Sequence, residues 1–244
     1  MRILLVSDLH YTLKQLDWVT SVAGEYDLVV VAGDHLDIAS MVEPDAQIAV
    51  VLEYLSRMAA KTTVAACSGN HDLNAESDDG ERYAPWLAAA ADAGVHIDGT
   101  NFEIDGAFVT VCPWWDGPLT REIVDRQLAA DAALLGDRQW IWVYHAPPDA
   151  SPTSWTGKRH YGDEDLVGWI EQHHPAIVLC GHVHQSPFAA DGGWIDRIGS
   201  TLVLNAGRQI GPVPAFVELE VEPATGSAQW SSLAGVELKT FAEV

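Results

Sequence analysis

Basic side chains are scarce in this sequence. Thirteen Lys and Arg stand against 35 Asp and Glu, a formal net charge of −22. Proteins that grip nucleic acid or an anionic membrane neutralise phosphates with Lys and Arg, so no stable nucleic-acid binding and no membrane association are expected. A phosphate-bearing small molecule would be repelled as well, unless bound cations invert the charge locally. Cysteine is scarce too. Cys67, Cys112 and Cys180 are odd in number, lack C-x-x-C spacing and each follow an apolar run. They read as reduced, buried, small residues in a reducing compartment. Long hydrophobic runs are missing: the opening "MRILLVSDLH" is too short for a signal-peptide core, and no stretch approaches a membrane span. The expectation is a cytoplasmic protein. No internal repeat, low-complexity tract or linker breaks the 244 residues, so residues 1–244 read as a single domain. Nothing in the sequence argues for a homo-oligomer, and nothing excludes one.

What the sequence does contain is a series of short apolar runs, mostly rich in Val and Ile, at 2–6, 28–32, 62–67, 107–112, 140–144, 176–180, 201–205 and 215–221. They have the length and composition of buried strands. Between the early runs lie segments of helical spacing. Leu13, Leu16, Val19 and Val22 form one stripe, and Ile48, Val51, Leu52, Leu55 and Met58 another. Further helices are expected near 81–93, 120–135 and 164–173. The late strands crowd together with Gly and Pro turns, as antiparallel hairpins do. Pro147, Pro148 and Pro152 mark 146–163 as a long polar loop of the functional or mobile kind. The alternation of strands and helices places the chain in the α/β class.

Open α/β sheets place their sites just past the C-terminal ends of strands. There this sequence reads "SDLH" with Asp8 and His10, "GDHLD" with Asp34 and Asp37, "SGNHD" with Asn70 and His71, then His145, then "CGHVHQS" with His182 and His184. Five strand ends deliver carboxylate, imidazole or carboxamide, and none delivers Lys or Arg. Divalent cations of hard to borderline character want that mixture, and there are ligands enough for two. Gly33, Gly69 and Gly181 precede the ligands and let the backbone turn tightly.

The ordered set D-x-H, G-D-x-x-D, G-N-H-D, H and G-H-x-H, spanning residues 8 to 184, resembles the calcineurin-like metallophosphoesterase superfamily. The resemblance implies a four-layer α-β-β-α sandwich with mixed sheets and two divalent metal ions (Mn, Fe or Zn) at one sheet edge. It implies that Asp8, His10, Asp34 and His184 hold one ion and that Asp34, Asn70, His145 and His182 hold the other, with Asp34 bridging. It further implies hydrolysis of a phosphate ester by a hydroxide between the ions. His71 would be the general acid and Asp37 the carboxylate that orients it. The chain departs from the Ser/Thr protein-phosphatase branch, with "GDHLDIA" where that branch has G-D-x-x-D-R-G and "GNHD" where it has G-N-H-E. A missing arginine suits a diester, which carries less charge than a monoester dianion. The expected substrate is therefore a small phosphodiester of nucleotide or cyclic-nucleotide type. The alternatives are a phosphomonoesterase or pyrophosphatase on a small metabolite, and more remotely a non-catalytic scaffold.

Other residues keep two readings. His35 is a surface histidine, one that supports a ligand from behind, or a substrate contact. Trp114 and Trp115 either pack or offer a stacking face to a ring. Lys158 and Arg159 are a solvated loop pair or a phosphate-steering spot, and Arg208 is a candidate phosphate contact. His96, His160, His173 and His174 read as ordinary surface or packing residues.

Overall fold

The computed structural model describes residues 1–222 and 226–244. In chain order the strands are β1 (Arg2–Val6), β2 (Leu28–Ala32), β3 (Thr63–Cys67), a short hairpin of β4 (Ala75–Glu76) and β5 (Arg82–Tyr83), β6 (His96–Ile97), β7 (Thr100–Ile104), β8 (Ala107–Val111), β9 (Gln139–Val143), β10 (Ile177–Cys180), β11 (Ile195–Ile198), β12 (Thr201–Asn205), β13 (Phe216–Glu220), β14 (Ser227–Ser232) and β15 (Gly235–Thr240). The helices are α1 (Leu13–Val22), α2 (Pro44–Ala59), α3 (Pro118–Leu134) and α4 (Glu164–His173).

Two mixed sheets stack face to face. One runs β15-β14-β13-β1-β2-β3-β6 and the other β11-β12-β10-β9-β8-β7. Strands β1, β2, β3 and β6 are mutually parallel, as are β8, β9, β10 and β12, while β7, β11, β13, β14 and β15 pair antiparallel with their neighbours. Because side chains alternate along a strand, each central strand feeds two cores. Ile3, Leu5, Val30, Ile141, Val143 and Leu179 meet between the sheets. Leu4, Val6, Val29 and Val31 face α1 and α2, meeting Leu16, Val19, Val51, Leu55 and Met58. Trp140, Trp142 and Val178 face α3 and α4, meeting Val124, Leu128, Leu166 and Trp169. Three cores make four layers, α-β-β-α. Burial on both faces is why the central strands are uninterrupted apolar runs.

Two local expectations change. Residues 81–93 are not one helix: Arg82 and Tyr83 pair with Ala75 and Glu76, and a 3₁₀ helix begins only at Pro85 and runs to Ala93. Proline pushes the residue before it toward extended backbone, which places the helix start there. The 146–163 loop is also far from loose. Ser151, Thr153 and Ser154 are buried, and its ends are zipped by Asp149 N–H to Asp163 O and Asp163 N–H to Pro147 O. All three cysteines are free and buried. Among the described residues, no helix is long and apolar enough to cross a membrane.

Candidate metal centre

The loops after β1, β2 and β3 converge with those after β9 and β10 at one edge of the paired sheets. Backbone bonds lace neighbouring loops together: Asp8 N–H donates to Gly33 O (3.1 Å), His10 N–H to Asp34 O (2.9 Å) and Gly181 N–H to His145 O (2.8 Å). Two further bonds cross from sheet to sheet. His145 Nδ1 donates to Ala32 O at 2.7 Å, and His182 N–H reaches the Asp8 carboxylate at 3.0 Å. The cluster therefore forms only when both sheets are in place.

Two groups of donor atoms result, Asp8, His10, Asp34 and His184 in one and Asp34, His145 and His182 in the other, each with its atoms within 4.8 Å of one another. Asp34 belongs to both. Its Oδ1 lies 3.4 Å from His145 Nε2 and its Oδ2 lies 3.6 Å from His10 Nε2. His184 Nε2 lies 3.2 Å from Asp8 Oδ1 and 3.1 Å from His10 Nε2. Asn70 sits in the turn after β3, its Oδ1 buried without a hydrogen-bond partner. Asp8, Asp34 and His145 are buried almost completely.

The backbone is strained where these donors sit. Asp8, His10, Asp34 and His182 all have positive φ, between 41° and 66°. Side chains other than glycine take that region at a cost of about 1–3 kcal/mol each, and such residues gather at functional sites. Gly33 is also left-handed at φ 81°, while Gly69 and Gly181 serve by having no side chain. A Cβ at Gly181 would lie 2.6 Å from Asp8 Oδ2, and one at Gly69 would lie 2.3 Å from Asp34 Oδ1.

Electrostatics prepares the same donors. Burial pushes His10 and His182 down to about 4, so both imidazoles are neutral near pH 7. Burial acts on His145 in the same direction, but the Asp34 and Asp8 carboxylates outweigh it and lift the ring to about 9. Against burial, His184 and His145 hold Asp8 below the usual carboxylate range, and His145 and His71 do the same for Asp34. Ionised carboxylates, the neutral imidazoles of His10 and His182 and a buried carboxamide oxygen left without a partner fit divalent cations, and His145 joins them by giving up its proton to the incoming cation.

This centre lies inside the region that matches a known family. Residues 1–186 match the model of the calcineurin-like phosphoesterases. The chain belongs to the calcineurin-like phosphoesterase family. Among solved structures, the purple acid phosphatase PPD1 from yellow lupin (Lupinus luteus) seeds aligns at TM-score 0.60 and 13% identity. That alignment covers 98% of this chain and 52% of the lupin chain, so the present chain spans about half the lupin enzyme's length. Yfce, a phosphoesterase from E. coli, aligns at TM-score 0.46 and 14% identity over 99% of this chain and 100% of its own. At 13% identity the likeness to the lupin enzyme is one of fold. No curated protein matches the chain in sequence.

Within this metallophosphoesterase fold, the other expected site residues take definite places. His71 Nε2 lies 3.9 Å from Asp34 Oδ2, and its ring packs edge-on against His10 at 4.6 Å. Asp37 does not hold His71. Asp37 Oδ1 accepts from Ala39 N–H at 2.9 Å, while His71 Nδ1 is buried without a partner. The local turn at 37–39 satisfies the carboxylate before it can reach the ring. His35 is a buried residue, bonded to Cys67 O at 2.9 Å and edge-on to Trp86. His96 stacks on Phe102, His160 lies against Trp155 and His173 edges Trp140, while His174 ends α4 in the left-handed region. Lys158 and Arg159 are exposed, and Arg208 bonds His184 O through its backbone N–H.

Sequence reasoning passed over the residues behind the ligands. The buried Asp72 accepts from His35 N–H (2.9 Å) and Leu36 N–H (3.0 Å) on one oxygen and from Gly69 N–H (2.8 Å) on the other. It thereby ties the Asp34 turn to the Asn70 turn. Its only signal was its place as the fourth residue of G-N-H-D. Asn205 similarly joins Thr153 O, Val183 O and Ser186 Oγ through its Nδ2. Tyr161, stacked on His182 at 5.2 Å, carried no signal at all.

Proposed function

We propose that this metallophosphoesterase hydrolyses a small phosphodiester of nucleotide or cyclic-nucleotide type. Asp8, His10, Asp34 and His184 would hold one divalent cation, and Asp34, Asn70, His145 and His182 a second. Such cations supply Lewis-acid polarisation of the phosphoryl oxygens and activation of a water nucleophile. They also provide the positive charge that the acidic chain otherwise lacks.

The chain's own groups do the rest. The His145 Nδ1 bond to Ala32 O turns Nε2 toward Asp34 and fixes the ring against rotation. His71 keeps part of its side chain in solvent, so its Nε2 can meet the leaving oxygen of a bound ester and donate a proton to it. Trp114 flanks both His145 and His182, narrowing water access on that side.

One observation carries the diester reading. Three cavities open beside the cluster, among them separate ones of about 400 Å³ lined by His71 and of about 300 Å³ lined by His182. A phosphodiester has two substituents to place, and a monoester has one. A phosphomonoesterase reading is favoured by a different feature: Arg208 lines a third cavity together with His184, where a guanidinium would suit a dianion. The deciding experiment strips the protein with chelator, reloads it with Mn²⁺ and compares bis(4-nitrophenyl) phosphate with 4-nitrophenyl phosphate. Faster metal-stimulated turnover of the diester is expected. Preference for the monoester transfers the assignment to the second reading, and turnover of neither refutes both.

A further inference from the structure

We propose that the cleft formed by Trp114, Trp115 and Tyr161 beside His182 is the subsite for a planar, uncharged ring on the substrate, an aryl group or a nucleobase. This rests on the phosphodiester reading above and says which substituent the His182 side accepts.

Four features support it. First, the cleft is walled by aromatics that are not spent in a core. Tryptophans that only fill the interior here, such as Trp140, Trp142 and Trp169, are at most 3% exposed, whereas Tyr161 is 52% exposed. Trp114 and Trp115 are part-exposed, with one side against the core behind α3 and α4 and the other on the cavity. Second, the walls are held in advance. Trp115 Nε1 donates to Asp163 Oδ2 at 2.8 Å, and Asp163 is itself buried and fixed by accepting from Asp165 N–H and Leu166 N–H on its other oxygen. Tyr161 N–H donates to Ser154 O at 2.8 Å, anchoring the loop to its buried serines. A ring entering such a slot orders few new side chains, which is where preorganised sites gain affinity.

Third, the slot adjoins the reacting centre. The Tyr161 ring lies 5.2 Å from that of His182 and only 21° from parallel to it. A ring bound there therefore sits within one substituent's reach of a phosphate at the donor cluster. Fourth, the charge of the lining disfavours a second phosphate, although the Arg159 guanidinium lies over the Tyr161 ring, 5.3 Å from its centroid. Asp116 and Asp163 line the cleft, and no Lys or Arg lines it among the described residues. A nucleobase or phenyl ring carries no charge to be repelled, and the exposed Asp116 can accept from an exocyclic N–H.

The test uses Mn²⁺-loaded protein and calorimetric binding of thymidine 5′-monophosphate, phenyl phosphate and methyl phosphate, which need no turnover. The nucleotide and the phenyl ester are expected to bind roughly ten- to a hundred-fold more tightly than methyl phosphate, the range that stacking on aromatic side chains gives. An advantage for the nucleotide alone assigns the slot to a base, and an equal advantage for phenyl phosphate assigns it to any flat ring. Trp115→Leu and the surface change Tyr161→Ala should each reduce that advantage several-fold. Equal affinity for all three ligands overturns the proposal, as does an advantage that survives both substitutions. In parallel, thymidine 5′-(4-nitrophenyl phosphate) and methyl 4-nitrophenyl phosphate share one leaving group. Hydrolysis of neither would sink the phosphodiester reading, while the binding ratios would still decide the slot.

Discussion

Gly69→Ala should disable the centre while changing only one methyl group. A Cβ there would stand 2.3 Å from Asp34 Oδ1, 2.5 Å from Asp34 N and 2.8 Å from His145 Nε2, whereas ordinary contact begins at 3.4 Å. One of those neighbours is backbone, so a side-chain rotation cannot clear the overlap. The Asp34 turn must retreat by about 1 Å, yet Asp34 O accepts from His10 N–H, Asp34 Oδ1 accepts from His71 N–H at 2.9 Å, and the next residue, His35, donates its N–H to Asp72. A 1 Å misplacement at a reacting centre costs on the order of a hundred-fold in rate. Overpacking of this kind also destabilises by about 1–3 kcal/mol, which for a chain of this size lowers Tm by about 2–12 °C. Gly168→Ala is the matched control. That glycine is exposed within α4 with nothing inside 4 Å of the added carbon, so the change should stabilise by up to about 1 kcal/mol. The assay is kcat/KM on a nitrophenyl ester with saturating Mn²⁺, alongside thermal melts of both variants. If Gly69→Ala keeps activity within threefold of the parent, the close packing of Asp34 against this turn is not what sets the site, and the reasoning fails.

Three more outcomes follow from the same geometry. His71→Ala should retain metal binding by calorimetry and lose roughly 10²–10⁴-fold in kcat, least for substrates with good leaving groups, since a general acid matters least there; loss of bound metal would make His71 a ligand instead. Asp72→Asn replaces one of two acceptor oxygens with a donor, leaving a buried backbone N–H facing an amide, and should lower the urea midpoint by the equivalent of about 1–3 kcal/mol. An unchanged midpoint would refute its role as a tie. Burial pushes the Asp98 carboxyl from 3.8 up to about 7, against the opposing Ser68 hydrogen bonds. The folded state thus keeps a proton that the unfolded chain gives up, and stability falls as pH rises between those values and stays lower above them. In metal-free protein, Asp98→Asn should therefore leave stability at pH 3.5 nearly unchanged and raise it relative to the parent at pH 8, by on the order of a few kcal/mol. Equal urea curves for the two proteins at pH 8 would show that the carboxyl is not shifted.

The donor cluster was legible because its grammar is local. Each pair, Asp8 with His10 or His182 with His184, follows directly on an apolar strand, and parallel strands deliver all their C-terminal ends to one edge. The helix near 81–93 was misread because helical spacing cannot reveal that Arg82 and Tyr83 are claimed by a hairpin. Asp37 was misplaced for a related reason. A motif position says where a carboxylate starts, and its nearest backbone N–H, that of Ala39, decides where it ends.

Order along the chain therefore determined the α/β layering, the five strand ends that carry carboxylate, imidazole or carboxamide, and the excess of negative charge that opposes an anionic ligand. Tertiary structure alone decided which carboxylates sit behind the donor cluster and what flanks it. Asp72 meets His35 from 37 residues away, and Trp115 meets Asp163 from 48. Contacts of that kind arise from the pairing of neighbouring strands and the folding back of the loops that follow them. No period of two or of 3.6 residues encodes them.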